Sequence, residues 1–391
     1  MISVPEALDL LFALAKPLGH DIVPLRAANG RVLANDVTAT RTQPPFAASA
    51  MDGYAVIKEE AVPDATFKVI GESAAGHGWR GDVRSGEAVR IFTGAPVPEG
   101  ATRVILQEDV MRISNEITLT GDIGSGDNIR AAGGDFKAGD VIKAPRRIGP
   151  ADVALMASMN IAEVPVMRRP DVALISTGDE LVMPGETPGP DQIIASNTFG
   201  LYAMLQDLGA VPRLLPIAKD TPASLEMCFD LAKGADLVVT VGGASVGDHD
   251  IVGTVAASLG MEQSFYKVAM RPGKPLMAGR MADGALMLGL PGNPVSAMVC
   301  GTVFLAPMVR VMMGLPPAPA PRRRARLAAD MPAGGPREHY LRAKVDGDEI
   351  TPFNRQDSAL LGVLAEANAL LVQPPNSPAL PAGTHVDYIP L

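Results

Sequence analysis

The residues able to do chemistry in this sequence sit in four glycine- or proline-rich segments. One is Gly178-Asp179-Glu180. A second starts at Gly242 and Gly243 and runs through Ser245 to Asp248, His249 and Asp250. A third is Pro291-Gly292-Asn293-Pro294-Val295-Ser296, and a fourth is Met270-Arg271-Pro272-Gly273-Lys274-Pro275. Glycine turns let backbone N–H groups approach an anion, and a helix starting after Asn293 adds a favourable dipole. Arg271 and Lys274 add positive charge, whereas Glu180, Asp248 and Asp250 are hard oxygen ligands suited to Mg2+. Carboxylates beside cationic and amide anion sites point to a metal-bridged phosphate.

The elements around these segments say how they meet. DVALIST (171–177), DLVVTV (236–241) and ALMLGL (285–290) read as strands, and each feeds one of the segments. Helical patterns cover 197–209, 221–234 and 250–259, and another begins at 294. This alternation predicts a doubly wound α/β unit. The unbroken apolar run of DLVVTV suits a parallel sheet covered on both faces. Ligands of open α/β sheets bind beyond the carboxyl ends of the strands, so the segments are expected to line one crevice.

Flanking regions have a different texture. Residues 44–137 hold short alternating runs between turns and read as a small β unit. Its polar clusters place Asp52 before a Gly turn, Thr93 and Gly94 at a strand end, and Arg130 and Asp135 in NIRAAGGDFKAGD. Gly76-His77-Gly78-Trp79-Arg80-Gly81 fits GxGxxG, but no helical pattern follows, so it reads as a turn. GxxxxGK[ST] and GxSxG are absent. LPPAPAP (315–321) reads as a stiff linker with RRRAR as its solvated edge. Residues 325–391 read as a second β module with a short helix near 358–366.

Composition removes several classes. Lys+Arg 34 against Asp+Glu 43 gives −9, and only 16 of 391 residues are aromatic (10 Phe, 5 Tyr, 1 Trp), which argues against a nucleic-acid partner. Two cysteines, Cys228 and Cys300, exclude a disulfide framework and fit a reducing, cytoplasmic setting as buried thiols. The N-terminus carries Glu6 and Asp9 inside its apolar run and reads as a helix capped by Ser3, not as a signal peptide. No charge lies between Ala285 and Val309, yet the stretch from Pro294 to Val309 is shorter than the ~20 residues a membrane span needs. It is expected to be a buried helix, and no membrane partner is expected.

PPFAASAMDGYA, FTGAPVPEGATRVILQED, NIRAAGGDFKAGD, STGDEL, TVGGASVGDHD, KVAMRPGKP and GLPGNPVSA follow one another in this order. Together they resemble the molybdopterin molybdotransferase family, which comprises the bacterial molybdenum insertases and the C-terminal catalytic domain of gephyrin. The resemblance runs nearly end to end. It implies an elongated α/β multidomain chain that forms a homodimer. Residues 1–43 with 138–168 would form a discontinuous linking domain, 44–137 an inserted β domain, 169–316 the α/β domain and 317–391 a C-terminal β-barrel-like domain. The implied reaction is Mg2+-dependent insertion of molybdate into adenylated molybdopterin, with release of AMP. A molybdopterin adenylyltransferase would precede it, and apo-molybdoenzymes would receive the product. The dithiolene of the substrate would supply the soft sulfur ligands that two cysteines cannot.

The resemblance also implies roles. Glu180, Asp220 and Asp250 match the family's acidic site residues, with Asp250 and Glu180 on the metal side. Ser245, Arg271, Lys274, Pro275 and Ser296 match the molybdate and phosphate contacts, beside the turn residues Gly242, Gly243, Pro291, Gly292 and Asn293. Lys267 matches a substrate-side lysine. Asp52, Thr93, Arg130 and Asp135 match a contribution from the partner subunit, and Arg337 and Ser358 match an arginine and serine near molybdate. Arg271 stands where several relatives have lysine. It keeps the charge and adds a planar fork. Asp220 has a second reading as a helix cap before Thr221. Two other functions stay open: the preceding adenylation of molybdopterin, which the α/β unit alone would serve, and a non-catalytic scaffold.

Overall fold

Ser3 starts the first helix, Val4–Leu14, because its hydroxyl accepts from the Glu6 N–H while the Glu6 carboxylate takes the Ser3 N–H at 2.7 Å. The computed structural model describes residues 1–243 and 251–391. After the helix, His20–Pro24 pairs antiparallel with Glu163–Met167, and Val37–Thr38 with Val141–Ile142. In both of these separate small sheets the chain leaves and returns about a hundred residues or more later. Ala28, Leu33, Met156 and Val166 form the shared core.

The excursion between these pairings is a six-stranded sheet. Its strand Gly53–Val56 lies between Glu87–Ile91 and Arg103–Leu106. Tyr54 and Val56 pack into one apolar cluster and Ala55 into another, as the period of two requires. The indole of Trp79 occupies the space where Gly71 and Gly81 would carry a Cβ.

The α/β unit has strands β1 (Asp171–Ser176), β2 (Val211–Leu214), β3 (Leu237–Val241), β4 (Glu262–Tyr266), β5 (Met277–Arg280) and β6 (Leu286–Leu290). Their order is β2-β1-β3-β6-β5-β4. The first four are parallel, whereas β5 runs antiparallel to both its neighbours, β6 and β4. The expected sheet is thus mixed. The two added strands escaped the sequence reading because edge strand β4, EQSFY, buries only Phe265 fully and shows no clean alternation. In β1, Val172 and Leu174 face helices Asn197–Leu208 and Pro294–Met312, while Ala173 and Ile175 face Pro222–Leu231 and Ile251–Ser258. Burial on both faces explains the all-apolar strands.

Helix Pro294–Met312 corrects a second expectation. It spans 19 residues, not the 16 of 294–309, and is long and apolar enough to cross a membrane. However, 78% of its most apolar window is buried inside the protein, against Leu201, Leu205 and the sheet. It is a core helix.

The C-terminal region closes five strands into a barrel: Glu338–Asp346, Glu349–Pro352, Arg323–Leu327, His385–Pro390 and Ala369–Gln373, which pairs back with the first. RRRAR is therefore a barrel strand, not a linker edge. Ala325 and Leu327 point into the core, while Arg324 pairs outside with Asp387 and Arg326 with Asp348 and Glu349. Met270–Arg271 joins this barrel by pairing in parallel with Glu338–His339. The barrel and the α/β unit therefore share a main-chain ladder.

Candidate active site

The sheet order reverses between β1 and β3, and a cleft of about 680 Å³ opens there at the strand ends. Three turns build it. Thr177 and Gly178 follow β1, Gly242 and Gly243 follow β3, and Pro291 and Gly292 follow β6. Gly242 and Gly243 have φ of +96° and +63°. A Cβ on Gly242 would lie 2.6 Å from the Thr177 carbonyl oxygen, and one on Gly243 would lie 2.8 Å from the Thr177 hydroxyl. Only glycine permits both the conformation and this close packing.

One wall is acidic. Glu180 and Asp220 both line the cleft. The Asp220 N–H donates to Asp179 Oδ1 at 3.3 Å. Burial, then the charges of Asp179 and Glu180, raise the Asp220 carboxyl above its ordinary range. The cap of helix Pro222–Leu231 is Thr221, whose hydroxyl accepts from the Ser224 N–H, so the capping reading of Asp220 falls away.

The opposite wall is the start of helix Pro294–Met312. Asn293 lines the cleft at the cap position without a capping hydrogen bond from its side chain, and Ser296 is buried in the first turn. The Val295 N–H donates to the Ser358 carbonyl at 3.0 Å, so one of the helix's free donors is already taken by the barrel side. Asn197 fixes the Gly292 carbonyl at 2.7 Å.

Pro275 lines the cleft, and Lys274 precedes it. Arg271 lies on the shared ladder and Arg337 donates to the Met270 carbonyl at 3.4 Å, which brings the two cations to one region. His339 is half-buried between them. Its pKa is pushed down to about 4 by burial and then by Arg271, Arg342 and Arg337, so it is neutral at pH 7. Lys267 has φ +70° and sits over its own neighbour, with its ammonium 4.6 Å from the Tyr266 ring centroid, and it is not part of the cleft lining.

Asp52, Thr93, Arg130 and Asp135 also stay outside the cleft of their own chain. Asp52 accepts from the Thr93 N–H at 2.7 Å and the Thr93 hydroxyl at 2.8 Å, which hold its carboxyl below the usual range. Arg90 lies between the rings of Tyr54 and Phe92 and donates to the Gly53 carbonyl. Arg130 is exposed on a short strand paired with Ala48–Ser49, and Asp135 is exposed beside Gln43. Thr93→Val is expected to raise the Asp52 pKa only part of the way to normal, since the backbone donor, the larger cause, remains. The stability that Asp52 confers above its unfolded pKa, lost as pH falls through its lowered folded value, then shrinks. Carboxyl-carbon NMR titration of Asp52 checks this, and an unchanged pKa refutes it.

Ser245 and Asp250 lie outside the described residues, as do Asp248 and His249. Among the described residues, no group of three His, Cys, Asp or Glu side chains is placed to hold a metal ion. The sequence reading missed Thr177, Asn197, Ile193 and Ile194 of the cleft lining, and Arg342 beside His339. The strand-end position of Thr177 was a usable signal; the others follow no motif.

Family comparisons meet this geometry along the whole chain. The MoeA N-terminal region (domain I and II) matches residues 2–160, a "probable molybdopterin binding domain" matches 173–311, and the MoeA C-terminal region (domain IV) matches 324–391. The chain belongs to the MoeA family. A molybdopterin molybdenumtransferase from Nostoc sp. is 35% identical over 99% of this chain and 93% of its own length. Molybdopterin molybdenumtransferase 2 of Mycobacterium tuberculosis is 37% identical over 99% of this chain and 98% of its own. The crystal structure of a molybdopterin biosynthesis MoeA protein from Pyrococcus horikoshii OT3 superposes with a TM-score of 0.85 at 27% identity, covering 100% of both chains. The cleft of this MoeA chain lies within the segment matched by the molybdopterin-binding description, and only Ala359 of its lining comes from the barrel side.

Proposed function

We propose that this chain is a molybdopterin molybdenumtransferase of molybdenum cofactor biosynthesis, inserting molybdate into adenylated molybdopterin with Mg2+ and releasing AMP. The observation that carries the reading is one cleft at the sheet's switch point, with Glu180 and Asp220 on one wall and the Asn293 turn, Pro275 and neighbouring Lys274 on another. In this reading the Gly242-Gly243 and Pro291-Gly292 turns bind the phosphates through backbone N–H groups. Arg271, Lys274, Arg337, Ser296 and Ser358 orient molybdate. Lys267, which lies outside the cleft lining after β4, would reach the substrate from beyond it.

Glu180 and Asp220 on one wall of the cleft suit a hard cation, since carboxylate oxygens are its preferred ligands. Glu180 and Asp220, with Asp250, would hold Mg2+, whose chemistry is to neutralise phosphate charge. Both cysteines are buried and free, so molybdenum's sulfur ligands come from the substrate's dithiolene.

Asp52 and Thr93 keep a hydrogen-bonded arrangement away from their own cleft, and Arg130 and Asp135 are exposed, which supports a homodimer in which the four complete the partner's site. The pairing of 20–24 with 163–167 supports the division into 1–43 with 138–168, 44–137, 169–316 and 317–391. An adenylyltransferase upstream, apo-molybdoenzymes downstream and a cytoplasmic location belong to the same reading.

Purified protein, adenylated molybdopterin and Mg2+ are combined with and without molybdate, and AMP and transferable cofactor are measured. Molybdate-dependent AMP release with activation of a cofactor-free molybdoenzyme is expected. Folded protein that releases no AMP here but, given molybdopterin, ATP and Mg2+, yields pyrophosphate would move the assignment to the adenylation step.

A further inference from the structure

Arg342 is the largest fully buried side chain of the protein, at 0% exposure. Its Nη2 donates to the Asp357 carbonyl at 3.0 Å, but Nε and Nη1 have no hydrogen-bond partner among the described residues. A buried guanidinium cannot shed its charge, so incomplete pairing is costly and calls for a compensating anion. Around it the charge is one-sided. Arg271 and Arg342 repel each other, both act on His339 together with Arg337, and His339 Nε2 is itself buried without a partner among the described residues. Asp357 is the one carboxylate among the described residues that offsets Arg342.

The Arg342 main chain also anchors a loop, to which its side chain adds the bond from Nη2 to the Asp357 carbonyl. Gln356 accepts from the Arg342 N–H and donates to the Arg342 carbonyl, at 2.9 and 2.8 Å. Asp357 and Ser358 follow, and the Ser358 carbonyl takes the Val295 N–H at the cleft's helix start. One residue thus ties the barrel strand to the loop that carries Ser358.

We infer that Arg342 is a positioning residue for a tetrahedral oxyanion: it fixes the Ser358 loop and sets a buried positive charge behind Arg271 and Arg337. This rests on the molybdate reading above. Molybdate, sulfate and AMP binding are measured by calorimetry for the full-length wild type, Arg342→Met and Arg342→Lys. Arg342→Met is expected to weaken molybdate by roughly 30-fold, the scale of a lost charged contact, with AMP affinity unchanged. Arg342→Lys is expected to recover most of the loss, which a purely structural role would not allow. Unchanged molybdate affinity in Arg342→Met, or equal loss of molybdate and AMP, overturns the inference. Should Arg342→Met fail to fold, Gln356→Ala carries the test, because it frees the loop from an intact arginine. Molybdate must then weaken and AMP must not. A wild type that takes sulfate but not molybdate would sink the molybdate reading alone, and Arg342 is then judged on sulfate by the same comparison.

Discussion

Asp220→Asn is expected to reduce AMP release on the order of 100-fold or more if, as proposed above, this cleft carboxylate helps to hold Mg2+, since the loss of a ligand exceeds the effect of losing a supporting group. The same variant is expected to be at least as stable as the wild type at neutral pH. The Asp220 carboxyl is raised by burial and by Asp179 and Glu180, so the folded state holds its proton more tightly than the unfolded chain. Its contribution therefore favours folding at low pH and is lost as pH rises through the raised value. At neutral pH the ionised side chain sits against two like charges, and asparagine removes that repulsion. Initial rates and melting temperatures at pH 5 and pH 8 check both halves. An active variant removes Asp220 from the chemistry, and a variant that melts lower at pH 8 contradicts the electrostatic account.

Gly53→Ala is expected to be the most damaging single methyl in the six-stranded sheet. Gly53 is buried between two antiparallel neighbours, paired with Ile91 on one side and Leu106 on the other. An added Cβ would lie 1.8 Å from the Ile105 carbonyl oxygen, 2.8 Å from its carbon and 3.1 Å from the Leu106 Cα. All three are main-chain atoms, so no side-chain rotation relieves the contact and the strand Arg103–Leu106 must move. Overpacking of this kind costs about 3 kcal/mol, or roughly 12–24 °C in the unfolding of a unit this size. Asp52 would shift too, because its carbonyl accepts from Gln107 N–H across the same strand pair. Gly121→Ala is the control: nothing lies within 4 Å of its Cβ, and a neutral effect is expected. Equal melting temperatures for the two variants would refute the argument.

The sequence was most legible where hydrophobic period and turn chemistry agreed. DVALIST, DLVVTV and ALMLGL end in glycine or proline turns, and their three turns do meet at one cleft. Helix Asn197–Leu208 stops at Gly209, with φ +95°, as its glycine signal predicts. Legibility failed where exposure or charge hid the period. EQSFY is an edge strand with little to bury, and RRRAR conceals Ala325 and Leu327 behind paired arginines. Arg342 gave no local signal, because its environment is assembled from Gln356, Asp357 and Arg271, none adjacent in sequence. Family resemblance supplied Arg337 and Ser358, which no spacing argument would reach.

The indole stacked over Gly71 and Gly81 belongs to the chain's single tryptophan. Excitation at the red edge therefore samples one location, within the sheet that carries Asp52 and Thr93. Emission during denaturation will follow that sheet alone, while far-ultraviolet dichroism averages over every unit. The difference between the two curves gives the order in which the parts of this protein come undone, without a label.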